Sequence, residues 1–347
     1  MIRISNQLIA LSLLGMSSLA MAMDKELVHQ SIIVQKIMAI DKPMRVAFLQ
    51  KKNTLMIAGK NSVHEVNWKD DQETGKIADH CLSYCFTNQQ RTAVAGSYYK
   101  DSKGVKKLFG VVQLYDAENE AITWGFPFEG KPFGPSCAFT PSGKLYVIEG
   151  DGNIRCSDGK SYYFAQAADG YKGIITADNT KEEVIFTRYI DKEKSALHTM
   201  NFDRNNATIT TDFVPNDFGK PYAQLHSPIS KLTALYYGSS NCWILYDRIK
   251  KTAVQTATKL LQNCCLLTFH PKKESLLAML TNDGFVEIYD FRKDETISRI
   301  HNSIGIPTSA ASVNERLIDF SPDGENIAVI VNERCFVLSN LYPANDQ

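Results

Sequence analysis

The sequence predicts an all-β protein, a seven-bladed β-propeller whose blades are four-stranded antiparallel sheets. Three observations lead to this prediction. A short motif recurs seven times, the segments between its copies alternate apolar and polar residues with period two, and one strand-like run near the N-terminus belongs to no copy. A repeat of about 40–45 residues made of strands is typical of propeller blades.

The recurring motif is a short apolar strand that ends at an anchor residue, most often Phe. In the clearest copies a small or polar residue, Pro and a turn follow, as in Cys137–Gly143, Leu267–Lys273 and Ile318–Gly324. The anchors lie 38 to 53 residues apart and are Phe48, Phe86, Phe139, Ala177, His226, Phe269 and Phe320. Helical solenoids would need a 3.6-residue periodicity between the anchors, which these segments lack.

A second mark recurs in the same phase. About 19 to 30 residues after each anchor, a β-rich run ends at Asp or Asn, and the seven residues are Asn67, Asp116, Asp158, Asn201, Asp247, Asp290 and Asn340. A short Asp or Asn side chain can accept a hydrogen bond from the backbone two residues on. We therefore predict that these residues begin the turn after the third strand of each repeat.

The sixth repeat shows all four strands most clearly. They are predicted at Cys265–Phe269, Ser275–Leu280, Phe285–Tyr289 and Thr296–Ile300. Between the second and third, Asn282–Gly284 predicts a tight hairpin, because Gly adopts a positive φ without steric cost.

The seventh repeat ends after Cys335–Ser339 and leaves no room for a fourth strand. The unassigned run Ser31–Met38 reads as a strand. We predict that it completes the last sheet and so joins the two ends of the ring, covering a strand edge that would otherwise invite aggregation.

On these marks the chain resembles the WD40 repeat family over essentially its whole length after residue 22. In that family a Trp-Asp pair closes the third strand, and here Tyr115-Asp116, Tyr246-Asp247 and Tyr289-Asp290 stand in its place. The family's Gly-His pair is largely missing, with Asp79-His80 the nearest approach. The resemblance implies the propeller fold, and a propeller family outside the WD40 repeats stays an alternative.

The N-terminus has the pattern of a cleaved secretory signal. One positive charge in Met1–Ser5 is followed by an apolar run, Leu8–Leu14, and by small residues up to Ala20-Met21-Ala22. The apolar run is too short to span a bilayer. We therefore expect residues 1–22 to be a signal peptide and residues 23–347 to be a single propeller, located in the periplasm or outside the cell.

Composition excludes several function classes. Lys plus Arg and Asp plus Glu both number 38, so the chain lacks the basic charge that nucleic-acid binding requires. The eight cysteines show no metal-ligand spacing. Most of them lie in apolar strands and are expected to be buried thiols, while any disulfide pairing stays open. We expect a monomer without metal, cofactor or membrane span.

The function predicted from these features is a non-enzymatic scaffold that binds a protein partner on one propeller face. No motif of a serine hydrolase, zinc protease, P-loop or dinucleotide site is present. His226 and His270 occupy positions of the repeat, which indicates a structural role. The alternatives are a propeller hydrolase or lactonase with a site in the central channel, and a sugar-binding lectin, which would need aromatic pockets in several repeats.

The largest insertion lies in the second repeat, between its second and third strands, and residues 97–107 hold four Lys and two adjacent Tyr. The outer strand and exit loop of the same repeat, residues 124–134, are rich in aromatic residues. Both segments should lie on one propeller face, and aromatic residues beside cations suit a protein interface. The candidate partner-binding residues are Tyr98, Tyr99, Lys100, Lys106, Lys107, Trp124, Phe126 and Phe133. The alternative is a solvated hairpin beside an outer strand that packs on the next blade.

Overall fold

The structure is a computed structural model, and it describes part of the chain. The described residues are 33–36, 45–49, 53–59, 62–70, 72–79, 83–86, 91–102, 105–116, 121–129, 136–148, 154–157, 161–162, 175–177, 181–189, 195–203, 206–214, 221–237, 240–254, 264–300, 318–331 and 334–342. Within these ranges the chain contains strands and turns and no helix, and every strand pairing is antiparallel. The all-β prediction is confirmed. The predicted signal segment, 1–22, lies outside the described residues.

The described strands form seven four-stranded sheets, which we number in chain order. Sheet 1 contains β2 (Arg45–Phe48), β3 (Thr54–Ala58), β4 (Ser62–Asn67) and β5 (Gln72–Asp79). Sheet 2 contains β6 (Ser83–Phe86), β7 (Arg91–Ser102), β8 (Val105–Asp116) and β9 (Ala121–Glu129). Sheet 3 contains β10 (Ser136–Phe139), β11 (Leu145–Ile148), β12 (Ile154–Cys156) and β13 (Ser161–Tyr162).

Sheet 4 contains β14 (Ile175–Ala177), β15 (Glu183–Tyr189), β16 (Ser195–Asp203) and β17 (Asn206–Val214). Sheet 5 contains β18 (Pro221–His226), β19 (Leu232–Tyr237), β20 (Cys242–Asp247) and β21 (Thr252–Ala253). Sheet 6 contains β22 (Cys264–Phe269), β23 (Leu276–Thr281), β24 (Val286–Asp290) and β25 (Glu295–Ile300). Sheet 7 contains β26 (Ile318–Phe320), β27 (Asn326–Val331), β28 (Arg334–Ser339) and the N-terminal strand β1 (Ile33–Lys36).

The predicted repeat phase is confirmed at every anchor. Each of the seven anchor residues, from Phe48 to Phe320, is the last residue of the first strand of its sheet. The Asp or Asn mark ends the third strand in sheets 1, 2, 5 and 6, and Asn340 comes one residue after β28. Asn201 lies inside β16, two residues before that strand ends, and Asp158 lies outside the described residues.

The turns after the third strands have the predicted hydrogen bonds. The Oδ1 atom of Asp247 accepts from the backbone N–H of Ile249 (2.9 Å) and Lys250 (3.0 Å). Asp290 does the same for residues 292 and 293, and Asn67 for residue 69. Because the cap lies on the residue that ends the strand, the local sequence determines this turn.

The sixth repeat agrees with its prediction to within one residue at every strand boundary. Its hairpin has Gly284 at φ 87°, and the N–H of Gly284 donates to the carbonyl of Thr281 at 3.0 Å. A side chain at this φ would be strained, so the turn depends on glycine.

The N-terminal strand completes sheet 7, as predicted. β1 pairs antiparallel with β28, with Ile33 opposite Ser339 and Lys36 opposite Phe336. The edge of β28 is thereby paired by a segment about 300 positions earlier in the chain.

In sheets 1, 5 and 6 the second strand is covered on both faces. Every residue of the second strands β3, β19 and β23 is buried, whereas the outer strand β25 alternates between buried and more exposed positions. Hydrophobic clusters span neighbouring sheets, one across sheets 1, 6 and 7 and another across sheets 5 and 6. First strands of neighbouring sheets also contact each other, as β10 does with β6 and β14, and β26 with β2 and β22.

Five cysteines have described side chains, and all five are free thiols. Cys156, Cys242, Cys264 and Cys335 are buried, as predicted, and Cys265 is partly exposed. Burial raises the pKa of the Cys265 thiol to about 11, with a smaller contribution from Asp283. A search of the described residues finds no helix with the length and hydropathy needed to cross a membrane.

Candidate functional site

The hairpin of β7 and β8 is much longer than the rest of sheet 2. Each strand has 12 residues, against four in β6. β6 pairs with β7 only up to Ala95, and β9 pairs with β8 only up to Phe109. Beyond these two residues no other described strand pairs with the hairpin. We call this extension, residues 98–102 and 105–109, the ribbon.

Five of the eight predicted partner-binding residues lie on the ribbon. Its cross-strand pairs are Tyr98 with Phe109, Tyr99 with Leu108, Lys100 with Lys107, and Asp101 with Lys106. The two Tyr therefore lie at the base of the ribbon, next to the body of the sheet, and the three Lys lie towards its tip. Lys100 is directly opposite Lys107 in the register, and like charges at opposite positions are an unfavourable pair for an isolated hairpin.

The register separates the two aromatic residues of β9 from the tip. Trp124 pairs with Leu114 and Phe126 with Val112. At about 3.3 Å per residue, Leu114 is about 23 Å and Val112 about 17 Å along β8 from Lys107. The end of β9 does reach the ribbon, because Glu129 is opposite Phe109. Phe133 lies outside the described residues.

The ribbon has backbone groups suited to pairing with another strand. Among the described strands, none pairs with residues 97–102 on the side where β6 ends, or with residues 105–108 on the side where β9 ends. An unpaired strand edge is a template for an added strand, and its side chains then select the partner. The chemistry that the ribbon offers is backbone pairing next to three lysines and two tyrosines.

A second cluster of polar residues lies between sheets 4 and 5. Arg248 is only 8% exposed, and its guanidinium donates to Nε2 of His226 at 3.0 Å and to Oγ1 of Thr199 at 3.4 Å. One carboxylate oxygen of Glu183 lies 3.9 Å from Arg248 and 3.2 Å from Nζ of Lys231. The cluster connects β15 and β16 to the turns at one end of sheet 5.

The hydrogen bonds of His226 determine its tautomer. Arg248 can only donate, so Nε2 of His226 accepts. The other ring nitrogen, Nδ1, is then the donor to Oγ1 of Thr233, 3.3 Å away. A general base needs a free lone pair on nitrogen, and here that lone pair is bonded to Arg248. This geometry fits a structural role for His226.

His270 also has a structural environment, between sheets 6 and 7. Its Nδ1 accepts from the backbone N–H of Lys272 (2.9 Å) and Lys273 (2.8 Å), and its ring centroid is 4.9 Å from that of Phe320. Burial, with Lys273 and Lys272 nearby, lowers the pKa of His270 to about 4. A Cβ atom on Gly324 would lie 2.4 Å from Nε2 of His270, so glycine is required at this contact.

In the part of the chain that the structure describes, no group of three or more His, Cys, Asp or Glu could hold a metal ion. No protein-family model matches the chain, and no curated protein matches it.

Arg248 and the residue after it, Ile249, are not among the residues that the sequence predicted to be functional. The signal was present in the turns after the third strands. Where sheets 1 and 6 have Trp68 and Phe291 after the capping residue, sheet 5 has an arginine. Comparison of these three turns by position would have shown the exchange.

Proposed function

We propose that the seven sheets are the blades of a closed, WD40-like β-propeller. Four-stranded sheets in chain order, contacts between their first strands and a last sheet completed by β1 support this arrangement. Second strands that are buried at every position also fit blades packed face to face. In such a ring the ends of the strands and their loops are available for binding.

Its proposed function is that of a non-enzymatic scaffold that binds a protein partner, after export to the periplasm or the exterior of the cell. The ribbon is the observation that carries this proposal. It extends beyond the two strands that flank it and contains Tyr98, Tyr99, Lys100, Lys106 and Lys107. Lys100 and Lys107 are opposite each other in the register, and such a like-charge pair becomes less unfavourable when an anionic partner neutralises it.

The export part of the proposal has a simple test. We express the chain with its own N-terminus in a bacterial host. We expect to recover it from the periplasm or the medium, with the mass of a chain that starts near Met23. A full-length mass in the cytoplasmic fraction would overturn it.

The binding part is tested by cross-linking and mass spectrometry with the mature protein in its native envelope. The test variant changes Tyr98, Tyr99, Lys106 and Lys107 to Ala. The control changes Lys69 and Lys293, two exposed lysines in the turns of sheets 1 and 6, to Ala.

We expect the parent and the control to capture the same protein. The ribbon variant should capture at least tenfold less of that protein while its melting temperature is unchanged. Retention of the partner by the folded ribbon variant would contradict a site on the ribbon. Capture of no protein above background by the parent would contradict the scaffold function, and screening for hydrolase activity would follow.

A further inference from the structure

A different surface, on sheet 5, has an exposed apolar residue in a turn where its counterparts are charged. The turns after β4, β20 and β24 share one backbone. In each, the second residue donates its N–H to a carbonyl in the turn before the second strand: Trp68 to Asn53 (3.0 Å), Arg248 to Lys231 (3.1 Å) and Phe291 to Ser275 (3.1 Å).

The side chains at these shared positions are exchanged in sheet 5. At the second position Trp68 and Phe291 are buried apolar residues in sheets 1 and 6, whereas sheet 5 buries Arg248. At the third position sheets 1 and 6 expose the charged Lys69 and Arg292, whereas sheet 5 exposes Ile249 to 76%. A substitution that breaks a local rule without a gain in stability is a sign of function.

A second apolar residue lies in the adjacent turn of the same sheet. Ile229, between β18 and β19, is 41% exposed. The turn that contains Ile229 is joined directly to the turn that contains Ile249, because the backbone N–H of Arg248 donates to the carbonyl of Lys231. In the described part of the chain these two isoleucines are the exposed large hydrophobic residues. We call the surface formed by Ile229, Ile249, Lys250 and Lys251 the sheet 5 tip.

Two lysines follow Ile249 in the same turn, and three carboxylates on this side of the molecule have partners of their own. Lys250 and Lys251 follow Ile249 and are exposed. On the neighbouring sheet, Glu182 accepts hydrogen bonds from N and Oγ of Ser142, at 2.6 and 3.0 Å, and Glu183 is paired with Lys231. The carboxylate of Asp247 caps its own turn. The sheet 5 tip therefore has an apolar centre with two exposed lysines beside it.

The tip is also held in one conformation before any partner arrives. The two bonds to Asp247 fix the backbone of Ile249 and Lys250, and the N–H of Lys251 donates to the carbonyl of Asp247 at 2.7 Å. Little conformational entropy is then lost on binding, which favours a docking role for such a turn.

We propose that the sheet 5 tip binds a polypeptide segment in which an apolar side chain is flanked by acidic residues. The apolar residue contacts Ile249 and Ile229, and the acidic residues pair with Lys250 and Lys251. Complementary charge around an apolar centre is the usual anatomy of a protein interface. An anionic membrane is the less fitting occupant, because two exposed lysines give only weak attraction to its surface. This site is independent of the ribbon.

The test is selection of a displayed library of random twelve-residue peptides on the parent, with counter-selection on Ile249→Ser. Peptides recovered are then measured by fluorescence anisotropy against the parent, Ile249→Ser, and Lys250→Gln with Lys251→Gln. The matched control is Lys69→Ser, which changes the third position of the same turn in sheet 1. Ile249 is exposed, so both variants should keep the melting temperature of the parent.

We expect an apolar residue between Asp or Glu in the recovered peptides, affinity at least tenfold lower for each sheet 5 variant, and no change for Lys69→Ser. No enrichment, or equal affinity for the parent and Ile249→Ser, would overturn the proposal. A third arm uses vesicles containing phosphatidylglycerol. Binding of vesicles that Ile249→Ser abolishes, without peptide enrichment, would overturn it in favour of a membrane surface.

Discussion

The pair formed by the anchor and the residue after the turn cap is aromatic in sheets 1 and 6 and polar in sheet 5. In sheet 1 the anchor Phe48 packs edge-on against Trp68, with ring centroids 6.3 Å apart, and in sheet 6 Phe269 and Phe291 share one apolar cluster. In sheet 5 the anchor is a histidine, and its partner at the second turn position is Arg248. A polar pair thus replaces an aromatic pair.

The backbone is the same in all three sheets, which separates two roles within one turn. The Asp or Asn cap determines the path of the chain, and the residue after it only fills the space between neighbouring sheets. That residue must match its surroundings, since an arginine can be buried only where hydrogen-bond and charge partners are provided. Sheet 4 provides them in Glu183 and Thr199.

Removal of the buried aromatic residue of sheet 6, Phe291, should lower the free energy of unfolding more than any other change considered. Phe291→Ala removes a side chain that is 1% exposed and leaves a cavity beside Phe269. We expect a loss of about 3–5 kcal/mol in the free energy of unfolding, measured by urea titration. A loss below about 1 kcal/mol would mean that packing of Phe291 in the core contributes little to stability.

The second test replaces the polar pair of sheet 5 by the aromatic pair of sheets 1 and 6. Arg248→Phe alone removes the donor to Nε2 of His226 and one of the two cations beside Glu183, and we expect a loss of about 2–3 kcal/mol. Addition of His226→Phe rebuilds the aromatic pair of sheets 1 and 6. The double variant should recover at least about 1 kcal/mol of the free energy of unfolding that Arg248→Phe loses. A double-mutant cycle by urea unfolding gives the coupling energy. Strictly additive losses would show that the two residues do not act as a pair.

A histidine buried without a charged partner should show its effect as a dependence on pH. The pKa of His270 is about 4 in the folded chain, below its ordinary value of 6.5. The unfolded chain therefore binds the proton more tightly. The contribution of His270 to stability is complete above pH 6.5 and is lost as the pH falls towards 4, by roughly 1–3 kcal/mol.

His270→Ser places at this position the residue that sheets 5 and 7 have there, Ser227 and Ser321. The change of unfolding free energy between pH 6.5 and 4 should become smaller in this variant, whatever its stability at pH 7. An unchanged slope would assign the acid sensitivity to other groups.

The smallest effect is expected from the caps, and it should be alike on both sides of the comparison. Asp247→Ala and Asp290→Ala each remove two backbone hydrogen bonds to a carboxylate. We expect each to lose about 1–2 kcal/mol by urea unfolding. A difference of more than about 1 kcal/mol between the two variants would contradict a shared role for the caps.

What could be predicted from the sequence was local. The anchors, the turn caps and the hairpin at Gly284 were found because a few neighbouring residues determine each of them. The N-terminal strand was found because the last repeat lacked a fourth strand. The burial of Arg248 was missed because two of its partners, Thr199 and Glu183, are 49 and 65 positions earlier in the chain, in another sheet.

The ribbon was predicted only in part for a similar reason. A stretch rich in Lys and Tyr indicated an exposed hairpin between two strands. How far β9 runs alongside β8 depends on pairing across the sheet, which includes a register shift between Leu114 and Tyr115. Without that register, the distance of Trp124 from the lysines could not be known.

The most direct test of the account is removal of the strand that joins the two ends of the chain. Deletion of residues 23–38 leaves one edge of β28 unpaired, and deletion of residues 23–30 is the control, because it spares β1. We expect the longer deletion to lower the melting temperature and to make the protein insoluble, and the control to behave like the parent. A soluble protein with an unchanged melting temperature after the longer deletion would contradict a closed ring.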